Sequence, residues 1–297
     1  MVKQNKGKAD KRYDSYILPG QSRRFLTEIK DISEINLYLM QNRYYFYYYN
    51  DKGDNKKMRG GSLFGKEIKS GQFKDSGLYG KKAAKLMGDL NARNKKLADD
   101  FLLHSCYSFI PYDRLLLGDG SSNYIDMQTL RLHPLYGIPF LPASVIKGTL
   151  RSVWILERFG GSERKAEADD CFVRLFGGQG TSSVHSEGIL TFFDTYPEKF
   201  AIGVDIQTVH YNNYYNRSAQ EPTDDQPPVP VNFVCLQDVA FAIRLGCNDS
   251  EAWASWSKDI DDMMECMITQ YGLGAKTALG YGQGTYVKLE EPGNACL

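Results

Sequence analysis

Four glycines spaced G-x-G-x5-G-x-G (Gly272, Gly274, Gly280 and Gly282) stand between a long amphipathic pattern and a short apolar one. Glycine carries no Cβ, so such a loop can turn sharply and bring its backbone N–H groups close to another surface. The order of its neighbours restricts the fold. A dinucleotide-binding fingerprint follows a strand and opens a helix. Here the helical pattern comes first, Trp253 to Tyr271, with Trp253, Trp256, Ile260, Met264, Met267, Ile268 and Tyr271 on one side and Gly272 placed to end it. A strand, Thr285 to Leu289, follows the loop. A P-loop needs Gly directly before the lysine, whereas Ala275 precedes Lys276 and Gln270 stands where the first glycine belongs. At the tip, Lys276 and Thr277 offer a charge and a hydroxyl to a phosphate, and Tyr281 offers a ring. The same spacing also suits a tight loop that only closes a sheet.

A second segment, Tyr136 to Arg151 (YGIPFLPASVIKGTLR), pairs prolines with a helix start. Ser144 can cap a helix running from Val145 to Phe159 through Ile146, Leu150, Val153, Trp154 and Phe159. The free N–H groups and positive dipole end of such a start favour an anion. Lys147 and Arg151 are four apart and share a face. Gly148 lowers helix propensity by roughly 1 kcal/mol against Ala, so something packs closely there, either chain or nucleic acid. A solvated face with a glycine for helix packing is the plainer alternative.

Around these segments the expected order is a strand at Tyr112 to Leu117, the lysine helix, a short helix over Lys165 to Leu175 and a strand at Gly188 to Asp194. Then come a polar excursion from Asp205 to Val231, one or two strands within Phe233 to Leu245, the amphipathic helix and the final strand. Without insertions this reads β-α-β-β-α-β, an α+β, ferredoxin-like plan shared by RNA-recognition domains. The expected organisation is an N-terminal extension over 1–105, a core domain over 106–290 with the loop 205–231 inserted, and a tail over 291–297. Within the extension, 1–25 reads as a tail, Tyr38 to Tyr49 as strand-like and Lys52 to Gly71 as a Lys/Gly-rich loop. Lys81 to Leu103 reads as a helix with Ala84, Met87, Leu90, Leu97, Phe101 and Leu102 near one face.

Hydrophobic residues make up 42% of the 297 and charged residues 24%, which suits a packed core. The net charge of zero hides an asymmetry: residues 1–100 hold 22 Lys+Arg against 12 Asp+Glu, and the remainder the reverse excess. A basic arm on an acidic body suits RNA phosphate at one end and protein neighbours elsewhere. The six cysteines are scattered without a C-x-x-C pair, which favours reduced thiols in the cytoplasm over disulfides or zinc. No apolar run reaches membrane-spanning length, no secretory signal is evident, and the four histidines lack metal-ligand spacing. No cofactor, metal or membrane partner is expected.

The two segments together resemble the RAMP superfamily of CRISPR-associated proteins. Its signatures are an IPGSSLKGxLR-like helix start, here IPFLPASVIKGTLR, and a GxGxxxxxGxG loop, here GLGAKTALGYG. A middle signature matches Leu175 to Gly178 and GILTFFD, ending at Asp194. Within the superfamily the resemblance narrows to the family of sixth subunits of the Cmr (type III-B) complex. It is carried by GDGSS (Gly118 to Ser122), LHPLYGIPFLP (Leu132 to Pro142), Asp205 to Tyr215 and Pro228 to Phe233; Val209 and Ala143 replace the usual proline and glycine. The resemblance implies an RNA-recognition-like palm with inserted loops in an antiviral effector complex. It would cap the row of backbone subunits and bind the guide RNA near its 3′ end. Its other partners would be the target RNA, by pairing with the guide, the neighbouring backbone RAMP subunit, the small helical subunit and the terminal RAMP subunit. The RNA-contacting residues implied are Ser144, Lys147, Gly148 and Arg151 on the helix and Gly272, Gly274, Lys276, Thr277, Gly280, Tyr281 and Gly282 on the loop. His210 and Tyr211 in the excursion complete the set.

The expectation is a non-catalytic subunit. The alternative within the superfamily is an endoribonuclease, whose aspartate lies in the loop before the lysine helix. Asp119 and Asp126 are the nearby carboxylates, but Asp126 falls one residue off the expected place, which Met127 occupies. His133 and His210 qualify as acid or base by residue type alone. The neighbouring carboxylates Asp169-Asp170, Asp224-Asp225 and Asp261-Asp262 diverge on a helix and read as solvated. A third alternative is a protein-only scaffold that never touches RNA.

Overall fold

A computed structural model describes residues 35–43, 45–50, 57–62, 81–118, 130–178, 186–209, 211–215, 217, 220–221 and 227–290. In chain order the elements are α1 (Leu37–Asn42), β1 (Tyr45–Asn50), β2 (Lys57–Ser62), α2 (Lys81–Asp99), β3 (Leu103–Pro111), α3 (Ala143–Phe159), α4 (Glu163–Glu167), α5 (Asp170–Phe176), β4 (Gly177–Gly178), β5 (Ser186–Glu187), β6 (Thr191–Phe192), β7 (Pro197–Val209), α6 (Asn212–Tyr215), β8 (Val229–Cys247), α7 (Ser250–Cys266) and β9 (Gly284–Leu289). They divide into two compact units. The described parts of Met1–Leu78, Asp119–Ile138 and Val204–Val234 make the first; those of Tyr79–Gly118, Pro139–Gly203 and Cys235–Leu297 make the second.

The second unit is mixed α/β. Its sheet runs β6-β8-β3-β9, each neighbouring pair antiparallel, and β7 also pairs with β8. β3 therefore lies between two partners, with Phe109 opposite Phe241 on one side and Tyr286 on the other. α3 buries Ile146, Leu150, Val153, Trp154 and Ile155. It packs against α7, which buries Ala252, Ile260, Met263, Met264 and Cys266. Trp154, Phe172 and Phe176 meet edge-on or tilted, with centroids 5.7 Å and 5.1 Å apart, and help close this layer. Aromatic pairs in such geometry each add roughly 0.5–1.5 kcal/mol beyond their buried area. The Tyr107 hydroxyl donates to Asp261 Oδ1 at 2.8 Å, and Lys288 Nζ reaches the other oxygen at 2.6 Å, tying α7 to β3 and β9.

Several expected elements shift. The strand expected at Tyr112 to Leu117 is instead β3, ending at Pro111, and the segment after it contributes a single bridge from Leu115 to Leu236. β3 is buried on both faces and spends Ser, His and Cys there, so it shows no period-2 alternation, whereas the apolar Leu115 to Leu117 run resembles a strand. The one helix expected over Lys165 to Leu175 is two, because Asp169 caps a new start by accepting from Phe172 N at 2.8 Å. The polar excursion is extended at both arms: β7 runs to Val209 and β8 begins at Val229. α2 ends at Asp99, short of Leu103.

In the first unit the tyrosine-dense segment splits. Asn36 accepts from Leu39 N at 3.2 Å and starts α1, and only Tyr45 onward is strand. The expected loop at Lys52 to Gly71 contains β2, which pairs with β1 from Tyr45↔Ser62 to Asn50↔Lys57. Gln41 pairs with the Leu130 backbone through both amide atoms, each bond 3.0 Å, and is buried doing so.

Candidate nucleic-acid interface

α3 starts one residue earlier than Ser144 suggested. Pro142 is the N-cap, with no side-chain hydrogen bond of its own, and Ala143 is the first helical residue. The acceptor that Pro142 cannot supply comes from Asp194, whose Oδ1 takes the Ala143 N–H at 2.7 Å. Ser144 is thus not the cap but an exposed residue in the first turn. This helix end is already neutralised by a carboxylate, so it is no vacant anion site.

Along the outward face, Lys147 has no ionic partner among the described residues. Gly148 is exposed, and a Cβ placed on it would meet nothing within 4 Å. Helix packing among the described residues therefore does not explain this glycine. Arg151, four residues on, is engaged: it contacts Glu163 at 2.8 Å and Glu167 at 3.6 Å, and lies 5.2 Å over the Phe172 ring.

The glycine loop leaves α7 through a π-helical turn, Met267–Tyr271, closed by Gly272 N donating to Met267 O at 2.8 Å. All four glycines have positive φ, and so does Lys276 at 58°. Three are demanded by packing. A Cβ on Gly282 would stand 1.9 Å from Leu273 O, on Gly274 2.6 Å from Leu116 O, and on Gly272 3.0 Å from Tyr281 O; on Gly280 it would meet open space. Several of the loop's N–H groups are spent on protein: Gly282 N on Arg114 O, Ala275 N on Leu116 O, Leu273 N on Gly282 O and Gly280 N on Thr277 O, each at 2.9 Å. Two of these bonds make a clasp on 114–116, so the Ala275 and Gly282 amides are not offered to a phosphate. Lys276, Thr277 and Tyr281 are half-buried, and Leu279 at the tip is 75% exposed.

Tyr211 is half-buried before α6, and the expected contact at His210 lies outside the described residues, as do Asp119, Asp126 and Asp224-Asp225. His133 organises a turn: Nδ1 accepts from Leu135 N and Tyr136 N at 3.3 Å and 3.4 Å, and the ring stacks on Tyr136 at 4.3 Å. Asp169 and Asp261 hold the helix cap and the Tyr107–Lys288 network described above. Among the described residues no group of three potential ligands could hold a metal ion, and no helix is long and apolar enough to cross a membrane. The five described cysteines are free thiols. Burial first, then the Asp169 carboxylate, pushes the Cys171 thiol up to about 11, and burial also raises Cys247 and Cys266; such thiols are poor nucleophiles. Sequence reasoning missed the capping role of Asp194, since nothing local links it to a helix fifty-one residues earlier.

The clasped glycine loop, the lysine helix and their sheet coincide with a known family. Residues 112–285, more than half of the chain, match the RAMP superfamily model, and the chain belongs to that superfamily. Within it, the chain is similar to the Cmr6 subunit of the CRISPR Cmr system of Pyrococcus furiosus, at 25% identity covering 64% of this chain and 72% of that protein. It is also similar to Cmr6 of Saccharolobus solfataricus, at 27% identity covering 77% and 73%. A chain in the cryo-EM structure of type III-B Cmr-beta bound to cognate target RNA shares the fold, with a TM-score of 0.52 at 20% identity, covering 76% of this chain and 75% of that one.

Proposed function

We propose that this chain is a non-catalytic subunit of a type III-B CRISPR effector complex that grips the sugar-phosphate backbone of the guide RNA. The site lies near the guide's 3′ end, where the chain caps the row of backbone subunits. The observation that carries this is Gly148 beside Lys147: a helix-weakening glycine, in open space among the described residues, next to a cation with no ionic partner among them. Such a face suits a surface that approaches to backbone distance, and a polyanion satisfies both residues. Lys276 and Thr277 on the loop supply the second contact by side chain. Tyr211 and His210 in the excursion reach the guide–target duplex or a neighbouring subunit. The strand order β9-β3-β8-β6, read as fourth, first, third and second of a β-α-β-β-α-β unit, corresponds to the ferredoxin-like plan. The guide sequence varies, so contacts go to phosphate and ribose, and base pairing with target RNA does the reading. The role of His133 in its turn supports a non-catalytic reading.

The same reading gives the partners as the adjacent backbone RAMP subunit, the small helical subunit and the terminal RAMP subunit, assembled in the cytoplasm for antiviral defence. Affinity purification from a co-expressed operon, with mass spectrometry and small-RNA sequencing, tests it. The expected recovery is the other complex subunits with spacer-derived RNA, lost when Lys147 and Lys276 are both replaced by Glu. Recovery of the chain alone, RNA-free and cleaving added RNA, overturns it.

A further inference from the structure

α2 is expected from its sequence only to pack, and its inner face does: Met87, Leu90 and Ala98 are buried. Its outer face is mixed in charge but carries more cations than anions: the exposed Asp89 falls between three basic side chains. Lys85, Arg93 and Lys96 fall within about one quarter of the helix circumference at 100° per residue, are exposed, and have no ionic partner among the described residues. Gly88 lies on the same side, and a Cβ there would meet nothing within 4 Å, the situation already found at Gly148.

Beside this face runs a groove of about 300 Å³ within the same compact unit. Its lining includes buried Leu90 and Tyr196, half-buried Phe192, Phe193 and Asn94, and exposed Arg93 and Asp194. Ala143, the first residue of α3, lines it too, so the groove begins where the Ser144–Lys147 turn starts. Asp194 uses Oδ1 on Ala143 N, and its second oxygen has no partner among the described residues.

We infer that this groove takes a nucleobase of single-stranded RNA, while Arg93 and Lys96 hold the flanking phosphates. The charges favour this arrangement over its reverse. An exposed carboxylate in the lining repels phosphate but accepts from a base amino or imino N–H, and the aromatic residues beside it offer a surface that any base can stack on. The cations stand where the backbone must pass, on the helix beside the groove. The inference rests on the proposed RNA-gripping function and extends its path from α3 to α2.

The test measures binding of the full-length chain to fluorescein-labelled single-stranded RNA of mixed sequence, and to an abasic strand of equal length, across a salt series. Arg93→Glu with Lys96→Glu should weaken binding to both strands about tenfold and flatten the salt slope by about 1.4, two single-strand phosphates at about 0.7 each. Ala143→Leu, which fills the groove, should cost about fivefold or more on the base-containing strand and nothing on the abasic one. If the Arg93/Lys96 pair binds like wild type while Lys147→Glu with Lys276→Glu releases the RNA, the inference falls and the parent reading stands. If neither pair changes binding, both fall. Equal wild-type affinity for the two strands refutes base insertion. Thermal melts of each variant check folding, and because Arg93 and Lys96 are exposed, the first pair tests the inference even if Ala143→Leu fails to fold.

Discussion

Replacing Gly282 by Ala separates a clasp from a cradle. At this position φ is 71°, and the new Cβ would stand 1.9 Å from Leu273 O. Left-handed backbone costs an L-residue about 1–2 kcal/mol. Backbone lies on both sides of the clash, so relief must stretch the bonds Leu273 N→Gly282 O and Gly282 N→Arg114 O, both 2.9 Å, which are worth about 1 kcal/mol each. Loss of unfolded-state entropy returns about 0.5 kcal/mol. The sum is a destabilisation of about 3 kcal/mol. Gly280→Ala has a comparable conformational cost at φ 89° but open space around its Cβ, so it should lose only about 1 kcal/mol. Urea denaturation followed by far-UV circular dichroism reads both as midpoint shifts at constant slope. Were the two variants to lose stability equally, the clasp on 114–116 would not be what Gly282 serves. A cradle predicts instead that both lose only the conformational cost of about 1 kcal/mol and release RNA.

Other perturbations act on single contacts. Asp194→Ala removes the only side-chain acceptor given to Ala143 N among the described residues and should cost about 1 kcal/mol in chemical denaturation, with Asp194→Asn retaining most of it. Gln41→Ala abolishes two buried bonds to Leu130, for a loss of about 2 kcal/mol, and should speed hydrogen exchange at the Leu130 amide. The hydrogen bond from the Tyr271 hydroxyl to Glu157, 2.6 Å long, is the main cause that pushes this phenol from 10.0 up to about 12. The fold favours the protonated phenol, so its contribution is complete below pH 10 and fades as pH rises toward about 12. Tyr271→Phe should therefore flatten the stability profile relative to wild type in that window alone. Asp249 behaves oppositely. The Ala252 N–H first, then Arg174, lower its pKa, so Asp249→Asn should flatten the loss of stability as pH falls through the carboxylate range.

The glycine loop is legible in the sequence because positive φ is a demand few residues but glycine meet, and the demand recurs at fixed spacing. What the loop does with its N–H groups is not legible, since the accepting carbonyls of Arg114 and Leu116 carry no side-chain signature. α3 and α7 can be read from periodicity, as their buried residues repeat at helical spacing. β3 cannot, because a strand buried on both faces loses its alternation. Ser144 satisfies the local rule for a cap, yet Pro142 has already begun the helix with a carboxylate brought from a distant loop. The spacing of Lys147 and Arg151 places them on one face correctly, but only the folded chain shows that Arg151 is held by Glu163 and Glu167.

The position of β3 between β8 and β9 bears on how the molecule is made. Phe109 waits for Phe241 and Tyr286, both synthesised long after it. Through most of translation β3 is a hydrophobic strand with two open edges, and the sheet cannot close by local pairing. Non-local closure of this kind is slow and exposes surfaces that stick to other nascent chains. Production of the protein should therefore respond to chaperone supply and growth temperature more strongly than its finished stability suggests.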